Sequence, residues 1–418
     1  MHILFLTDNF PPEVNAPASR TFEHAREWVG AGHRVTVVTC APNFPQGKVH
    51  EGYRNQLWAR ETMDGVDVVR VWSYITANEG FLKRSLDYAS YMASATLASP
   101  FVRDVDVVVA TSPQFFTACA GWMASKALGK PFVFELRDLW PESIRAVGAL
   151  KSEAVLKWLE RLELFLYRQA AAVVSVTHSF KDNLVGRGIE ASKISVVTNG
   201  ADLTRFAPTP RNEALAARLG LSGKFTAGYV GTHGMAHALE TVLACAAELR
   251  DRPEAADVRF VLLGDGAAKT ALKSEAQRLG LETVLFLDSV PKEQVAQYWS
   301  LLDASIIHLK KTELFTTVIP SKMFEAMAMG IPILHGVAGE SARIVEREGA
   351  GLVFEPENAA ALGDGVLQLA GDSGLRARLS QQGLRAARQY DRSVLAGRML
   401  DVLTEVAAQP HLQRRAAA

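Results

Sequence analysis

Residues 2–40, HILFLTDNFPPEVNAPASRTFEHAREWVGAGHRVTVVTC, contain the pattern that decides the fold. Two continuous apolar runs, 2–7 and 34–40, are separated by a loop rich in Pro and Asn and by a helical segment over 18–30. A strand that is apolar on both faces belongs in a parallel sheet covered by helices on both sides. The stretch therefore predicts a strand, a helix and a second, parallel strand.

The same alternation continues along the chain in two series. In the first series, apolar runs lie at 66–72, 105–111, 131–136, 171–177 and 193–198, with helical segments at 80–99, 115–128 and 151–169. After a loop at 199–213, the second series has runs at 224–231, 258–264, 283–288, 303–309, 331–334 and 350–354, with helical segments at 236–249, 267–279, 291–301, 321–329 and 341–347 and a helical tail from 358. We predict an α/β protein of two Rossmann-like domains, 1–205 and 206–390, facing a central cleft.

Composition narrows the functional classes. Lys plus Arg and Asp plus Glu number 45 each in 418 residues, so no net positive field favours a nucleic-acid partner. The three cysteines are far apart and lie in apolar runs, which favours a reducing compartment. Neither a signal peptide before the first strand nor an apolar run of membrane-spanning length is found. We expect a cytoplasmic protein.

Glycine-rich turns follow two of the strands predicted in the second series. Gly231 and Gly234 lie in YVGTHGMAHALET (229–241), and Gly264 and Gly266 lie in LLGDGAAK (262–269). Glycine lets the backbone approach an anion closely at the start of a helix. Each turn alone is typical of an ordinary strand-to-helix connection, but several such turns at strand ends of one domain favour a phosphate site.

The stretch IPSKMFEAMAMGIPIL (319–334) adds charge to this predicted site. Ser321 is predicted to cap a short helix whose first-turn N–H groups, with Lys322, would bind an anion. Glu325 lies one turn further on, where its carboxylate would accept from the two hydroxyls of a ribose. A diphosphate followed by a ribose describes a nucleotide-sugar, although an ordinary capped helix explains the stretch equally well.

Charged residues also follow a strand predicted in the first series. In FELRDLWPES (134–143), Arg137 and Asp138 lie at the carboxyl end of the strand, where sites cluster in such sheets. Trp140 would fix the loop, and Glu142 follows it. A buried Arg–Asp pair that only holds the loop is the structural alternative. Arg20, after the loop that contains Asn15, would contact a phosphate or else be a solvated helix residue.

The remaining candidates are weaker. The segment 80–103 combines aromatic and basic residues, which suits a membrane interface or, equally, a helix packed on a core. Asp104 and Asp106 form a D-x-D pair, which we interpret as the entry to a strand. The histidines form no convincing metal set, so we expect no metal.

Nearly the whole chain resembles the retaining glycosyltransferases of family 4, which have the GT-B fold. The resemblance rests on LFLTDNFPPE (4–13) with GHRVTVVT (32–39) and on motifs further along the chain: APNFPQGKVHEGYRN (41–55), ATSPQFFTACAG (110–121), LRDLWPES (136–143), YVGTHG (229–234) and IPSKMFEAMAMGIPI (319–333). It looks closest to a bacterial branch that includes an N-acetylfucosaminyltransferase of O-antigen synthesis. The resemblance implies a carboxyl-terminal domain for the donor, an amino-terminal domain for the acceptor, and a final helix, 391–418, that crosses back to the first domain.

The resemblance also implies roles for individual residues. Glu325 matches the glutamate that holds the donor ribose, and Asp138 with Arg137 falls beside the reacting sugar. The family's first acid of E-x7-E is replaced by Thr317, and the usual basic pair near 231–237 by Thr232 and His237. Lys310 and Lys322 are the candidates for the missing charge.

We therefore predict a retaining glycosyltransferase (EC 2.4) that moves a sugar from a nucleotide diphosphate to a glycan or polyprenyl-linked acceptor. The expected donor is UDP-linked by preference and carries an N-acetylated amino or deoxyamino sugar. The expected role is surface polysaccharide synthesis at the cytoplasmic face of the inner membrane. A sugar-nucleotide epimerase of the same fold and a non-catalytic nucleotide-sugar-binding partner subunit are the alternatives. The predicted catalytic residues are Asp138, Arg137 and Lys322. The predicted donor-binding residues are Gly231, Thr232, His233, Gly234, Gly264, Asp265, Gly266, Lys310, Pro320, Ser321, Met323 and Glu325, and the acceptor-binding residues are Asn15, Arg20, Trp140 and Glu142. No cofactor beyond the donor and no nucleic acid is expected.

Overall fold

The computed structural model describes residues 1–76, 81–140, 152–291 and 293–409, with the backbone alone at residues 81 and 82. These residues divide into two compact units, Met1–Thr198 with the segment from Ser393, and Asn199–Arg392. The domain boundaries predicted from the sequence are 205/206 and 390/391. Each unit is built around one sheet.

Mainly parallel strands form the sheet of the first unit. In the described residues the strands are β1 (His2–Leu6), β2 (Arg34–Cys40), β3 (Trp58–Met63), β4 (Val66–Val71), β5 (Val107–Thr111), β6 (Phe132–Leu136), β7 (Ala172–Ser175) and β8 (Ile194–Val196). Their order in the sheet is β3-β4-β2-β1-β5-β6-β7-β8, and every pair is parallel except β3 with β4. Strands β1, β5 and β6 are buried along their whole length, as their unbroken apolar runs predict.

Strand β3 was not predicted from the sequence. Its sequence, WARETM, alternates between exposed and half-buried residues at the sheet edge, so it contains no apolar run. Its partner β4 was found because it is buried between β3 and β2. A period-two pattern with charged residues on an edge strand is a weak signal in a chain whose other strands are continuous apolar runs.

Helices cover the first sheet, and all but one of those in the described residues lie where the sequence predicts a helix; the helix His178–Gly186 was not predicted. They are α1 (Ala16–Gly30), α2 (Phe81–Ala98), α3 (Phe115–Leu128), α4 (Glu153–Gln169) and α5 (His178–Gly186). Asn15 caps α1, since its side-chain oxygen accepts from the backbone N–H of Ala18 at 2.9 Å. None of the helices in the described ranges is long and apolar enough to cross a membrane.

The second unit contains a parallel sheet in the order β11-β10-β9-β12-β13-β14. The strands are β9 (Phe225–Val230), β10 (Val258–Leu263), β11 (Val284–Leu287), β12 (Ala304–His308), β13 (Ile333–Gly336) and β14 (Gly351–Val353). The helices are α6 (Glu213–Arg218), α7 (Glu240–Leu249), α8 (Lys269–Arg278), α9 (Val295–Trp299), α10 (Lys322–Met329), α11 (Glu340–Glu348), α12 (Ala359–Gly371) and α13 (Ser373–Ala387). The carboxyl ends of these parallel strands meet at one edge of the sheet, and this edge positions the candidate donor site.

The predicted helical tail is divided into separate helices. Asn358 and Asp372 cap α12 and α13, and the last helix, α14 (Arg392–Ala408), follows a short turn. Helix α14 packs on the first unit: Leu395 and Met399 are buried in one core with Phe5, and the indole N–H of Trp28 donates to the carbonyl of Ala396 at 2.8 Å. The prediction that the final helix returns to the first domain is therefore confirmed.

Candidate functional site

The two glycine turns of the second unit are bonded to each other. The turn after β9 and the turn after β10 share backbone hydrogen bonds from Gly231 N to Leu263 O (2.9 Å), from His233 N to Asp265 O (2.8 Å) and from Ala268 N to His233 O (2.9 Å). A Cβ on Gly264 would lie 1.9 Å from the carbonyl oxygen of Gly231, and the φ of Gly264 is +144°. Only glycine permits this approach, so the sequence pattern reflects backbone packing as well as any anion.

The predicted start of the helix at 236–249 is wrong. Residues Met235–His237 form a single 3₁₀ turn, Ala238 has a φ of +42°, and α7 begins only at Glu240. The start of α7 therefore lies beyond the first glycine turn in the sequence. Any anion here would be bound by the N–H groups of the turn itself and by neighbouring cations.

Lys322 supplies such a cation. Its ammonium donates to the hydroxyl of Tyr229 at 2.8 Å and lies 4.0 Å from the centre of that ring. A Cβ on Gly231 would lie 2.3 Å from Nζ, so the ammonium packs directly against the first glycine turn. Burial lowers the pKa of Lys322 to about 8, although the carboxylate of Glu325 acts in the opposite direction. An ammonium held in a low-dielectric position interacts strongly with an arriving phosphate.

The start of α10 differs in detail from the prediction. Ser321 occupies the N-cap position, but its side chain makes no capping bond and its backbone is already helical. The N–H groups of Met323 and Phe324 donate to the carbonyls of Pro320 and Ser321 at 3.1 and 3.0 Å, so the predicted set of free N–H groups is reduced. The side chain of Met323 is fully buried in the core, which leaves only its backbone for a ligand.

Several predicted donor residues surround Lys322 or the glycine turns. His233 is fully buried, and neither ring nitrogen has a hydrogen-bond partner in the described part of the chain. Burial, with Lys269 and Lys322 nearby, lowers the pKa of His233 to about 4, so the ring is neutral at pH 7. Asp265 is exposed and accepts from the N–H of Gly266 at 2.8 Å. Lys310 donates its backbone N–H to Ala236 at 2.9 Å, which ties the end of β12 to the 3₁₀ turn.

Two residues of this edge have local roles. Thr317, where the family pattern has an acid, donates its hydroxyl to the carbonyl of Leu314 at 3.1 Å within the 3₁₀ turn Glu313–Thr317. Lys269, which the sequence analysis did not name, is buried and donates to the carbonyl of Gly264 at 2.7 Å and to Asp288 at 2.6 Å. Thr317 therefore stabilises the 3₁₀ turn, and Lys269 stabilises the glycine turn after β10. Thr232 is exposed, and Glu325 is half-buried.

In the first unit, Arg137 and Asp138 lie after β6, at the carboxyl edge of the sheet. The hydroxyl oxygen of Ser112, which follows β5, accepts from the backbone N–H of Arg137 at 2.8 Å. Trp140 stacks on Phe115 with the ring centres 4.7 Å apart, as expected of a residue that fixes the loop. Glu142 lies outside the described residues.

Arg20 is buried in an ion pair. Its Nε donates to Glu135 Oε1 at 2.9 Å, and its terminal nitrogens donate to the carbonyls of Thr198 (2.8 Å) and Val197 (3.0 Å). The alternative of a solvated helix residue is wrong, because Arg20 is only 5% exposed. Burial would raise the pKa of Glu135, but the charges of Arg20 and Arg137 hold it below its usual value. Within this unit the guanidinium holds β6 against the strand end at 197–198.

Sequence reasoning missed a group of acids near the carboxyl end of β1. Asp8 lies just beyond β1, after Thr7, and Asp87 on α2 and Glu13 are close enough to interact with it. Burial, with Asp8 nearby, raises the pKa of Asp87 to about 7, so this carboxyl group carries a proton part of the time at neutral pH. Such a group can exchange a proton with a sugar hydroxyl. The position of Asp8 at a strand end was the available signal.

The described part of the segment 80–103, for which a membrane interface and a helix packed on a core were the alternatives, contains both buried and exposed apolar residues. Tyr91 is fully buried, and its hydroxyl, which has a single hydrogen to donate, lies within hydrogen-bond distance of the carbonyls of Thr7 and Val38. Leu97 and Phe101, by contrast, are 72% and 75% exposed, and Phe101 packs edge-on against the half-exposed Trp58. The end of this segment presents an apolar surface with Arg103 exposed beside it in sequence.

Both halves of the chain match models of glycosyltransferase families. Residues 15–200 match the Glycosyl transferase 4-like domain, and residues 224–372 match Glycosyl transferases group 1. The chain is 26% identical over 383 residues to the putative colanic acid biosynthesis glycosyl transferase WcaI of Escherichia coli, covering 88% of this chain and 92% of that protein. It is 25% identical over 358 residues to a GDP-mannose-dependent alpha-mannosyltransferase of Mycobacterium tuberculosis, covering 85% and 84%.

Solved structures share the fold over nearly the whole chain. Sucrose-phosphate synthase from Thermosynechococcus elongatus aligns with a TM-score of 0.75 at 16% identity, covering 98% of this chain and 99% of that one. Anabaena HepE, solved in complex with UDP, aligns with a TM-score of 0.71 at 18% identity, covering 97% and 100%. The two Rossmann-like units and the returning final helix are therefore those of the GT-B architecture.

Proposed function

The chain belongs to glycosyltransferase family 4 and has the GT-B fold, and on that basis we propose that it is a retaining enzyme whose second unit binds the donor at the glycine turns. The donor is a nucleotide-diphosphate sugar, UDP-linked by preference and carrying an N-acetylated amino or deoxyamino sugar. The observation that carries this proposal is the Lys322 ammonium packed against the Gly231 turn, 2.8 Å from the Tyr229 hydroxyl. One positive charge beside backbone N–H groups is suited to a departing diphosphate.

The roles within the donor site follow from the charges. Lys322 neutralises the diphosphate as the bond to the sugar breaks, and the N–H groups of the glycine turns bind its oxygens. Glu325, one turn along α10, accepts from the ribose hydroxyls, and Lys310 adds a second cation at the end of β12. Neutral His233 supports the turn without adding charge.

The acceptor is bound by the first unit at the carboxyl edge of its sheet. Arg137 and Asp138 lie at this edge, and Asp8 interacts electrostatically with Arg137. Carboxylates next to a cation bind sugar hydroxyls, which suits a glycan or polyprenyl-linked acceptor. The kinship to a putative colanic acid transferase supports a role in surface polysaccharide synthesis, in the cytoplasm at the inner membrane face.

A thermal-shift screen of UDP, GDP, ADP, dTDP and CMP tests the donor site. At a concentration of 100 Kd, the matching nucleotide should stabilise the folded enzyme by about 2.7 kcal/mol. Glu325→Ala should lose most of this stabilisation, because the ribose hydroxyls lose their acceptor. Glu346→Ala removes an exposed acid from the neighbouring α11 and should respond like the wild type.

Two results would contradict the proposed donor site. One is the absence of a shift with every nucleotide, and the other is an equal shift in Glu325→Ala and the wild type. A shift with GDP in place of UDP would correct only the base, in line with the GDP-mannose-dependent relative.

Phe101→Ser tests the proposed membrane contact. Phe101 is 75% exposed, and removing its ring from a membrane interface should lower binding to anionic phospholipid vesicles by roughly ten- to 100-fold, as about 1.5–3 kcal/mol of apolar burial is lost. Vesicle co-sedimentation measures the change. Trp158→Ser, at an exposed aromatic residue of α4, is the matched control and should bind as the wild type does. Equal binding by Phe101→Ser and the wild type would contradict this surface.

A further inference from the structure

Tyr229 is a buried tyrosine with a polar role at the donor site. It is the second-last residue of β9, and its side chain is fully buried. Its hydroxyl oxygen is 2.8 Å from Lys322 Nζ and 2.9 Å from the carbonyl oxygen of Thr232. The hydroxyl thus joins the first residue of α10 to the first glycine turn.

The direction of these two hydrogen bonds follows from the chemistry of the groups. An ammonium has only donors, and a phenol has a single hydrogen. The phenol therefore donates to the Thr232 carbonyl and accepts from Lys322. Burial raises the pKa of Tyr229, so the phenol keeps its proton throughout the neutral range. The lone pairs of its oxygen face the ammonium and favour the charged form of Lys322.

The ring and the glycine turn restrict the position of the ammonium further. Nζ lies 4.0 Å from the ring centre, within the range of a cation–π interaction, and it touches the side of Gly231 where any Cβ would collide. We propose that Tyr229 is a positioning residue whose ring and hydroxyl hold the Lys322 ammonium against the Gly231 turn, where the diphosphate of the donor binds. The inference rests on the proposed function of this site.

The two histidines close to Lys322 keep the same charge across the neutral range. Burial lowers the pKa of both His233 and His237 to about 4, so both rings are neutral above pH 6. Glu325, on the same helix as Lys322, favours the charged ammonium. The charge of Lys269 contributes to the lowered pKa of His233, and the Lys269 ammonium donates to Asp288. With both rings neutral, Lys322, whose pKa is about 8, titrates between pH 6 and pH 9.

Tyr229→Phe tests the proposal, because it keeps the ring and removes only the hydroxyl. UDP binding is measured by isothermal titration calorimetry from pH 6 to pH 9, with GDP as the probe if UDP does not bind the wild type. At pH 7.5 we expect affinity about tenfold weaker, as one hydrogen bond to a charged group is lost. Without its acceptor the ammonium loses its proton at a lower pH. The decline in affinity with rising pH should therefore begin about one pH unit earlier than in the wild type.

Two further variants separate the possible outcomes. Tyr390→Phe removes another hydroxyl of the second unit that accepts from a cation, Arg347, at 2.8 Å, and it should bind like the wild type at every pH. Lys322→Met should bind weakly with no alkaline decline. If Lys322→Met binds like the wild type, the proposed donor site fails. If Lys322→Met binds weakly but Tyr229→Phe keeps the wild-type pH dependence, only the positioning role of Tyr229 is overturned. The same role is overturned if Tyr229→Phe loses UDP affinity equally at every pH and has a lowered melting temperature.

Discussion

Replacing Lys322 with methionine is expected to lower kcat/KM for the nucleotide-sugar by about 10³-fold, which corresponds to about 4 kcal/mol of lost transition-state stabilisation. The negative charge on the diphosphate grows as its bond to the sugar breaks, and the Lys322 ammonium is held beside the turn where we propose that this charge develops. Methionine has a similar length and fills the same space without charge. Steady-state kinetics of sugar transfer measure the change.

Lys311→Met is the matched control for this substitution. Lys311 is exposed and paired with Glu355 at 2.5 Å, so its loss should change kcat/KM less than twofold. The two variants should also differ in their dependence on pH. In the wild type, kcat/KM should fall as the pH rises through about 8, where Lys322 loses its proton, and this decline should be absent in Lys322→Met. A Lys322→Met enzyme with wild-type kcat/KM would contradict the assigned role.

Most of the fold could be predicted because buried parallel strands leave a strong trace in sequence. Strands such as β1 and β5 are continuous apolar runs, and α3 begins and ends at the predicted residues. The edge strand β3 was missed because only half of its side chains pack on the sheet. The return of α14 to the first unit came from the family resemblance, since nothing local in its sequence indicates that its apolar side packs beside Trp28.

The candidate site could be predicted only in outline. The glycine turns and Lys322 are visible as motifs, and the family is confirmed by the match of both halves. Tyr229, however, reads as one more apolar residue of a strand, because its partner Lys322 is 93 residues away. The burial of Arg20 was equally invisible, since its partner Glu135 lies in an otherwise apolar strand. Contacts of this kind depend on the tertiary structure.

Replacing Arg20 with methionine is expected to lower the free energy of unfolding of the first unit by about 3–5 kcal/mol. Glu135 is 1% exposed, and without Arg20 its charge would be buried with one cation fewer. Differential scanning calorimetry should show a melting temperature lower by about 10 °C for this unit. Arg26→Met is the control, because Arg26 is an exposed residue of α1 with only a 3.7 Å contact to Glu27. Wild-type stability combined with lost transfer would instead assign Arg20 to the acceptor.

The pH dependence of this stability loss identifies its cause. In the wild type, the depressed pKa of Glu135 contributes stability that is fully present above its unfolded pKa of about 4.3 and is lost as the pH falls through the folded pKa. In Arg20→Met, burial outweighs the remaining attraction and raises the pKa of Glu135, so acid relieves the unpaired charge. The difference between the two proteins should therefore be largest near pH 7. It should shrink as the pH falls, first through the raised pKa of Glu135 in Arg20→Met and then towards its lowered pKa in the wild type. Arg20→Met with Glu135→Gln should recover at least half of the loss at pH 7, because the buried charge is gone. A loss that is the same at every pH, and unchanged in the double variant, would mean that the packing of the Arg20 side chain matters and its charge does not.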